Sequence, residues 1–476
     1  MKKEELFEAI NDIDDREIEK AGSYEKPGRR AFWTRWGTVA ACLIVLAAAV
    51  AAGKLQGTGG SLQPGVKVVS AKPVEEVASG MDPAVFLDSQ EHWDWWEPYW
   101  EKMQKSAQHK DDMCGYYTSM METILADDDE NTVCSPLNIY LAMSMLAEVS
   151  DGNTRAQILD LLEVPDIGTL RIRVNDLMQS NQLNTPAVKS LLANSLWLND
   201  SVSYNEETLQ RLSDTYYTST YSGKPGSEEL DRAFREWLDS NTGGLLKEYT
   251  KDQKLDPETV MALASTLYFR AAWQDEFVKK ETDQGIFHGV KGDTEVQMMH
   301  RTGSDNLYWT DRFISIALPM QDGCGSMFFY LPQEGVDVNS LLSDPDLFKA
   351  MKYGEDENWY YRIVNLSVPK FKVTEKTDLL ETLRELGITD AMDGSLADFS
   401  PLTAGKPVWL GGAEHAATVE IDEEGVTGAA YTELELSGSS MPPEEIVDLT
   451  LDRPFLFVIT ARDGSLLFSG VVRNVE

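Results

Sequence analysis

The sequence predicts an α+β fold organised around a large, mainly antiparallel sheet. Three observations carry this. Amphipathic stretches with helical spacing cluster early, at residues 114–127, 136–149, 154–162 and 229–239. Strand-like runs follow, at 326–331 (SMFFYL), 363–368 (IVNLSV) and 449–459 (LTLDRPFLFVI), and such uneven clustering favours α+β over alternating units. The pattern continues from about residue 105 to 476 without a domain break, repeat or low-complexity tract. With 476 residues, 42% hydrophobic and 9% aromatic, the chain can bury a large core.

Before that region, residues 4–21 place Leu6, Ile10, Ile13 and Ile18 at near-helical spacing, which predicts a short amphipathic helix. Residues 36–53 (WGTVAACLIVLAAAVAAG) carry no charge and are just long enough to cross a bilayer as a helix. Trp33 and Trp36 are placed as interfacial anchors. Lys26, Arg29, Arg30 and Arg35 precede the span and only Lys54 follows closely, so residues 1–35 are expected in the cytoplasm and the rest outside. A cleaved signal peptide ending near Ala51 is the alternative; the long segment ahead of the apolar run favours an uncleaved anchor. Residues 54–104 are expected to be a linker, rich in Gly, Ser and Pro over 54–82, followed by a Trp-rich extension. Residues 92–100 (HWDWWEPYW) are read as packing against the main domain, with a carbohydrate- or wall-binding patch as the alternative.

Composition and motifs exclude several function classes. The formal net charge of −37 argues against nucleic acid, whose phosphates it would repel. Four cysteines are too few for a disulfide framework at this length; Cys114, Cys134 and Cys324 are read as free or buried thiols. No two of the five histidines stand at metal-ligand spacing, and there is no HExxH, Walker A, GxGxxG or G-x-S-x-G motif. Residues 127–131 (DDDEN) lack EF-hand spacing and read as a solvated turn. No enzyme, cofactor or metal is expected.

The most informative segment is 423–443 (EEGVTGAAYTELELSGSSMPP). As a strand it would place Val426, Gly428, Ala430, Thr432, Leu434 and Leu436 on one face. Yet it ends in Ser-Gly-Ser-Ser-Met-Pro-Pro, which reads as exposed loop. It is strand-competent and without a strand partner in its neighbourhood.

Seven segments in order resemble signatures of the serpin family, the serine protease inhibitors: 131–139 (NTVCSPLNI), 193–197 (ANSLW), 264–273 (ASTLYFRAAW) with Phe277, 296–299 (VQMM), 368–371 (VPKF) with 383–388 (LRELGI), 449–459, and 466–470 (LLFSG). The resemblance covers residues 105–476. It implies a large central sheet with two smaller sheets, about nine helices and an exposed reactive loop. A target protease cleaves the loop, which then inserts into the central sheet as a new strand while the protease is still esterified to it.

On this resemblance Glu423, Glu424, Gly425, Val426, Thr427, Gly428, Ala429 and Ala430 form the hinge. The attacked bond is Ser439–Ser440, a position reached both by counting from Gly425 and by counting back from Pro442-Pro443. Leu436, Ser437, Gly438 and Met441 are the flanking bait. The small Ser439 fits an elastase-like or subtilisin-like serine protease and disfavours a trypsin-like one. About 15 inserted residues at about 3.3 Å each span nearly 50 Å. Val426 and Gly428 depart from the usual Thr and Ala, and Gly428 weakens a strand. A polar cluster closing the sheet, the shutter, maps onto Ser135, Asn138, Ser265 and His415. Asn138 and Ser265 exchange the usual serine and asparagine, which either preserves one hydrogen-bonded pair or reflects unrelated substitutions bridged by water. Trp273 matches the tryptophan beneath the opening end of the sheet, the breach. The expected function is extracytoplasmic inhibition of a serine protease by a membrane-anchored, bacterial-type monomer, through a covalent acyl complex. The alternatives are a non-inhibitory serpin-fold binding protein that protease merely cleaves, and a surface adhesin.

Overall fold

The computed structural model describes residues 61–63, 65–72, 76–354, 357–403, 407–426 and 445–475. The cytoplasmic segment 1–35, the span 36–53 and loop residues 427–444 lie outside the described residues. Among the described residues no helix is long and apolar enough to cross a membrane.

The predicted amphipathic stretches form the helices Cys114–Leu125, Pro136–Val149, Gly152–Leu161 and Glu228–Asn241. Pro136 opens its helix in the first turn, where a missing N–H forfeits no intrahelical bond. That helix is buried on nearly every side, so it lies under the central sheet rather than on the surface. The described residues hold eleven α-helices against about nine expected, and three of the eleven are single turns.

Among the described residues nine strands make the central sheet. Its order is Ser61–Gln63, Val66–Ser70, Thr218–Gly223, Val188–Asn199, Met261–Ala272, Gly425–Val426, Glu414–Ile421 and Phe371–Asp378, with Leu183–Asn184 beside Val188–Asn199. The two smaller sheets implied by the resemblance run together as a second nine-stranded sheet. The link is the 18-residue strand Gly292–Trp309, which pairs with Asp283–Gly289 and Trp359–Pro369 along most of its length and with Phe313–Pro319 at its end. The run 449–459 is two strands, Ile446–Thr450 and Phe455–Ala461. Pro454, which has no N–H to donate, stands in the break.

Part of the span read as linker is structural. Ser61–Gln63 and Val66–Ser70 form a hairpin on the edge of the central sheet, where Lys67 to Ser70 pair with Thr220 to Ser222. Val66 is buried with Trp197, Tyr221 and Leu230, and the Trp197 and Tyr221 rings stack at 4.3 Å. The Gly/Ser/Pro composition of 54–82 conceals this because only alternate residues need to be apolar at a half-buried edge. The aromatic segment forms the helix Gln90–Ser106. Tyr99 and Met103 are buried in the core with Trp95 and Trp96 packed against it, Arg462 stacks 4.4 Å over Trp96, and His92 Nε2 lies 2.9 Å from Asp322. Trp93 and Trp100 stay exposed.

Cys114, Cys134 and Cys324 are free, and burial pushes the Cys134 thiol up to about 12. The Asp127 carboxylate accepts from the backbone N–H groups of Asp129 and Glu130, both at 2.8 Å, which makes 127–131 a self-capped turn. No group of acidic, His or Cys side chains among the described residues is arranged to hold a metal ion.

Candidate functional site

The hinge begins in a turn that the sequence builds locally. Asp422 accepts from Glu424 N at 2.9 Å and from Gly425 N at 3.2 Å, while its own N–H donates to Gly425 O at 3.1 Å. This side-chain-closed turn folds the chain back on Glu414–Ile421. Gly425 and Val426 then pair antiparallel with Ala272 and Ala271 on one side, and Val426 with Ile421 on the other. A Cβ on Gly425 would lie 2.3 Å from Ala271 O, so the close approach of the two backbones requires glycine here. Val426 is buried.

Trp273 is buried beneath this turn. Its Nε1 donates to Asp422 O at 2.9 Å and its backbone N to Glu424 O at 3.0 Å; Phe277 N donates to Glu423 O at 3.1 Å. The Glu423 side chain is buried. Burial would raise its pKa, but Lys370 Nζ at 2.6 Å and the Thr282 hydroxyl at 2.8 Å outweigh that and hold it below its ordinary value. Glu424 pairs with Lys279. Glu276 is pushed up by burial and by the nearby Glu424 and Asp422 charges, against Lys279, and its Oε1 has no hydrogen-bond partner. Burial likewise raises Asp422, against its two backbone N–H donors.

Below Gly425–Val426 the strands Met261–Ala272 and Glu414–Ile421 share no ladder with each other among the described residues. Each pairs antiparallel with the hinge, so they run parallel to one another, about 9.5 Å apart where the hinge sits between them. Farther down, a slot lies between Leu267, Tyr268 and Phe269 on one strand and Ala416, Ala417 and Thr418 on the other. Ser135, Asn138 and Phe468 line its floor; Thr242, Leu245 and Leu246, just after the helix Glu228–Asn241, form its roof. Its volume is about 20 Å³, room for a water molecule and not for a side chain. A strand entering here would have to part the strands and lift the roof.

The four residues mapped onto the shutter form two hydrogen-bonded pairs that join this floor to the flanking strands. Ser135 N donates to His415 Nε2 at 3.0 Å, and Ser135 Oγ to Leu467 O at 2.6 Å. Because Nε2 accepts, the neutral ring carries its proton on Nδ1. His415 is buried, and burial lowers its pKa to about 4. Asn138 Nδ2 donates to Ser265 O at 3.1 Å, while the Ser265 hydroxyl donates to Asn138 Oδ1. The exchanged amide and hydroxyl therefore contact each other directly through one bond, and the amide makes a second to the Ser265 backbone carbonyl.

The structure thus brings Glu423, Glu424, Gly425, Val426 and Trp273 together at one end of the slot, and places Ser135 and Asn138 on its floor, bonded to His415 and Ser265 of the two flanking strands. Thr427, Gly428, Ala429, Ala430, Leu436, Ser437, Gly438, Ser439, Ser440 and Met441 lie outside the described residues. Sequence reasoning missed Asp422, Glu276, Lys279 and Thr282 as hinge partners. Lys370 stood inside the quoted VPKF segment, but a lysine so far in sequence gives no sign of its carboxylate.

The model of the serpin family, described as serine protease inhibitor, matches residues 116–475. Among similar proteins, the alpha-1-antiproteinase of Callosciurus caniceps is 30% identical over 357 residues, covering 72% of this chain and 83% of that protein. The human leukocyte elastase inhibitor is 28% identical over 350 residues, covering 71% and 92%. Among solved structures, the native state of tengpin, a thermophilic serpin, superposes with a TM-score of 0.67 at 24% identity, covering 86% of this chain and 98% of tengpin. Human thyroxine-binding globulin with its hormone gives a TM-score of 0.65 at 24% identity, covering 79% and 99%. With its signature segments, hinge and slot arranged in this order, the chain belongs to the serpin family.

Proposed function

We propose that this protein inhibits a serine protease as a suicide substrate, with Ser439–Ser440 as the cleaved bond. One observation carries the reading: Gly425 and Val426 stand as the first rung of a strand between two parallel neighbours whose facing edges have no other partner among the described residues. A loop freed by cleavage would extend that rung antiparallel to both neighbours, burying Gly428, Ala430, Thr432 and Leu434 on the Val426 face. Small residues there enter without overpacking. Insertion that outruns deacylation traps the acyl enzyme. The small Ser439 points to an elastase-like or subtilisin-like enzyme. Residues 36–53 would tether the inhibitor with its serpin domain outside the cell. The relatives named as an elastase inhibitor and an antiproteinase agree with this class of target.

The test is to incubate the full-length protein with pancreatic elastase and with subtilisin and run a denaturing gel. The expected result is a covalent band and a released C-terminal peptide beginning at Ser440. Complete cleavage without a covalent band refutes inhibition of these proteases and favours the substrate-like reading.

A further inference from the structure

The helix Gln90–Ser106 is fixed about its own axis. Tyr99 and Met103 enter the core from one side, His92 meets Asp322 at 2.9 Å, and the Arg462 guanidinium lies over the Trp96 and Trp100 rings at 4.4 and 5.2 Å. Arg462 is itself held, its Nη1 donating to Asp322 O and Gly323 O, both at 3.2 Å. One turn, Gln321–Gly323, therefore grips the helix through both His92 and Arg462. Along another flank runs a stripe that core packing does not use. Trp93, Glu97, Trp100 and Gln104 follow at steps of four, three and four residues, which align on a helix, and all four are exposed. Trp93 is 59% and Trp100 41% exposed, and their positions lie about 10 Å apart along the axis. Beside the stripe, Gln90 Nε2 donates to Asp94 Oδ1 at 2.8 Å, and Pro98 has no N–H to offer the Asp94 carbonyl. Rings thus alternate with hydrogen-bonding groups. No aliphatic side chain and no lysine stands in the stripe or at Gln90, Asp94 and Glu101 next to it.

We infer that this stripe binds a neutral β-1,4-linked polysaccharide. A pyranose ring has apolar C–H faces and a rim of hydroxyls. The faces stack on Trp93 and Trp100, while the hydroxyls donate to Glu97 and Asp94 and exchange bonds with the Gln104 amide. In a β-1,4-linked chain alternate rings present the same face, and the separation of the two tryptophans is close to one disaccharide. Other occupants fit less well. A bilayer surface favours aliphatic side chains with lysine or arginine beside the tryptophan. The core of a protein interface is depleted of Asp and Glu. A single cation needs rings that converge on it, and these stand in a row along a convex helix. The carboxylates of Asp94, Glu97 and Glu101 repel an anionic chain. The inference is independent of the bond at which the reactive loop is cleaved.

The test is affinity electrophoresis of the full-length protein in native gels holding hydroxyethyl cellulose or glycol chitin, with a polyoxyethylene detergent so that no sugar head group competes. Retardation by at least one of the two polymers is expected, and it should persist in high salt, which would screen a cationic partner away. Trp93→Ala should weaken binding about threefold and Trp93→Ala/Trp100→Ala at least about tenfold. Both variants should migrate like the wild type in gels without polysaccharide, and Trp93→Ala spares the Trp100 ring beneath Arg462. Wild-type migration unaffected by both polymers overturns the inference, as does equal retardation of wild type and both variants. Selective quenching of Trp93 and Trp100 by a brominated detergent would assign the stripe to a bilayer surface, and a dimer that Trp93→Ala dissolves would assign it to a second copy; either result overturns it too.

Discussion

Acidification tests the latch at His415. Its Nε2 accepts from Ser135 N–H, it is buried, and no acidic partner contributes to its shift. Protonation would set a second donor against the Ser135 N–H and leave an uncompensated buried charge. The folded-state pKa, near 4, lies below the ordinary 6.5, so folding favours the neutral ring. The associated stability is fully present above about pH 6.5 and is lost as pH falls toward 4. A shift of about 2.5 units at about 1.4 kcal/mol each makes the loss about 3 kcal/mol, a large fraction of the roughly 5–15 kcal/mol that holds a domain folded. The perturbation is His415→Gln, which keeps an acceptor for Ser135 and cannot take the proton. Equilibrium denaturant unfolding of both proteins from pH 7.5 to 4 isolates the effect, because the other titrating groups cancel in the difference. The wild-type protein should lose about 3 kcal/mol more than the variant across that window. Parallel pH profiles would refute the argument.

Three further outcomes follow from the same region. Gly425→Ala places a methyl against Ala271 O and should expel the first rung, so the fraction of inhibitor partitioning to covalent complex should fall at least severalfold on a denaturing gel. In a double-mutant cycle on Asn138→Ala and Ser265→Ala, the bond from the Ser265 hydroxyl to the Asn138 amide oxygen should couple the two by about 1 kcal/mol in denaturant unfolding; a coupling near zero would mean the exchange is incidental. Glu276→Gln should raise the denaturant midpoint at pH 7, because a carboxyl whose pKa is raised on folding costs stability once ionised; that gain should shrink as pH falls and the wild-type carboxyl protonates.

Much of this was legible because the fold's signatures are local. The segment 131–139 delivers Ser135 and Asn138 to the start of one helix, and 264–273 carries Ser265 on one strand and Trp273 just past its end, so both ends of the slot could be found from sequence. The facing of Asn138 and Ser265 was legible as an exchange of residue types, and its geometry needed the structure. The charges around the hinge were not legible. Glu423 meets Lys370 and Thr282 only after the strands that carry them assemble, and nothing local marks a lysine as the partner of one carboxylate among 79 acidic residues. The edge hairpin was hidden by linker-like composition: of its described side chains, Val66 is the fully buried one. The single second sheet was hidden because a strand of 18 residues gives no sign of where one sheet would end and another begin.

The Asp422 turn has a kinetic consequence. In ordered polymers the slow event is the first closed unit, which fixes several torsions in return for a single bond; each later unit fixes fewer per bond gained. Here that first unit is assembled before any protease arrives, with Asp422 closing the turn and Gly425 and Val426 seated between both neighbours. A severed loop would start from propagation, without the waiting time of nucleation. In the proposed contest against the water that would free the enzyme, shortening that lag would matter more than deepening the final energy minimum.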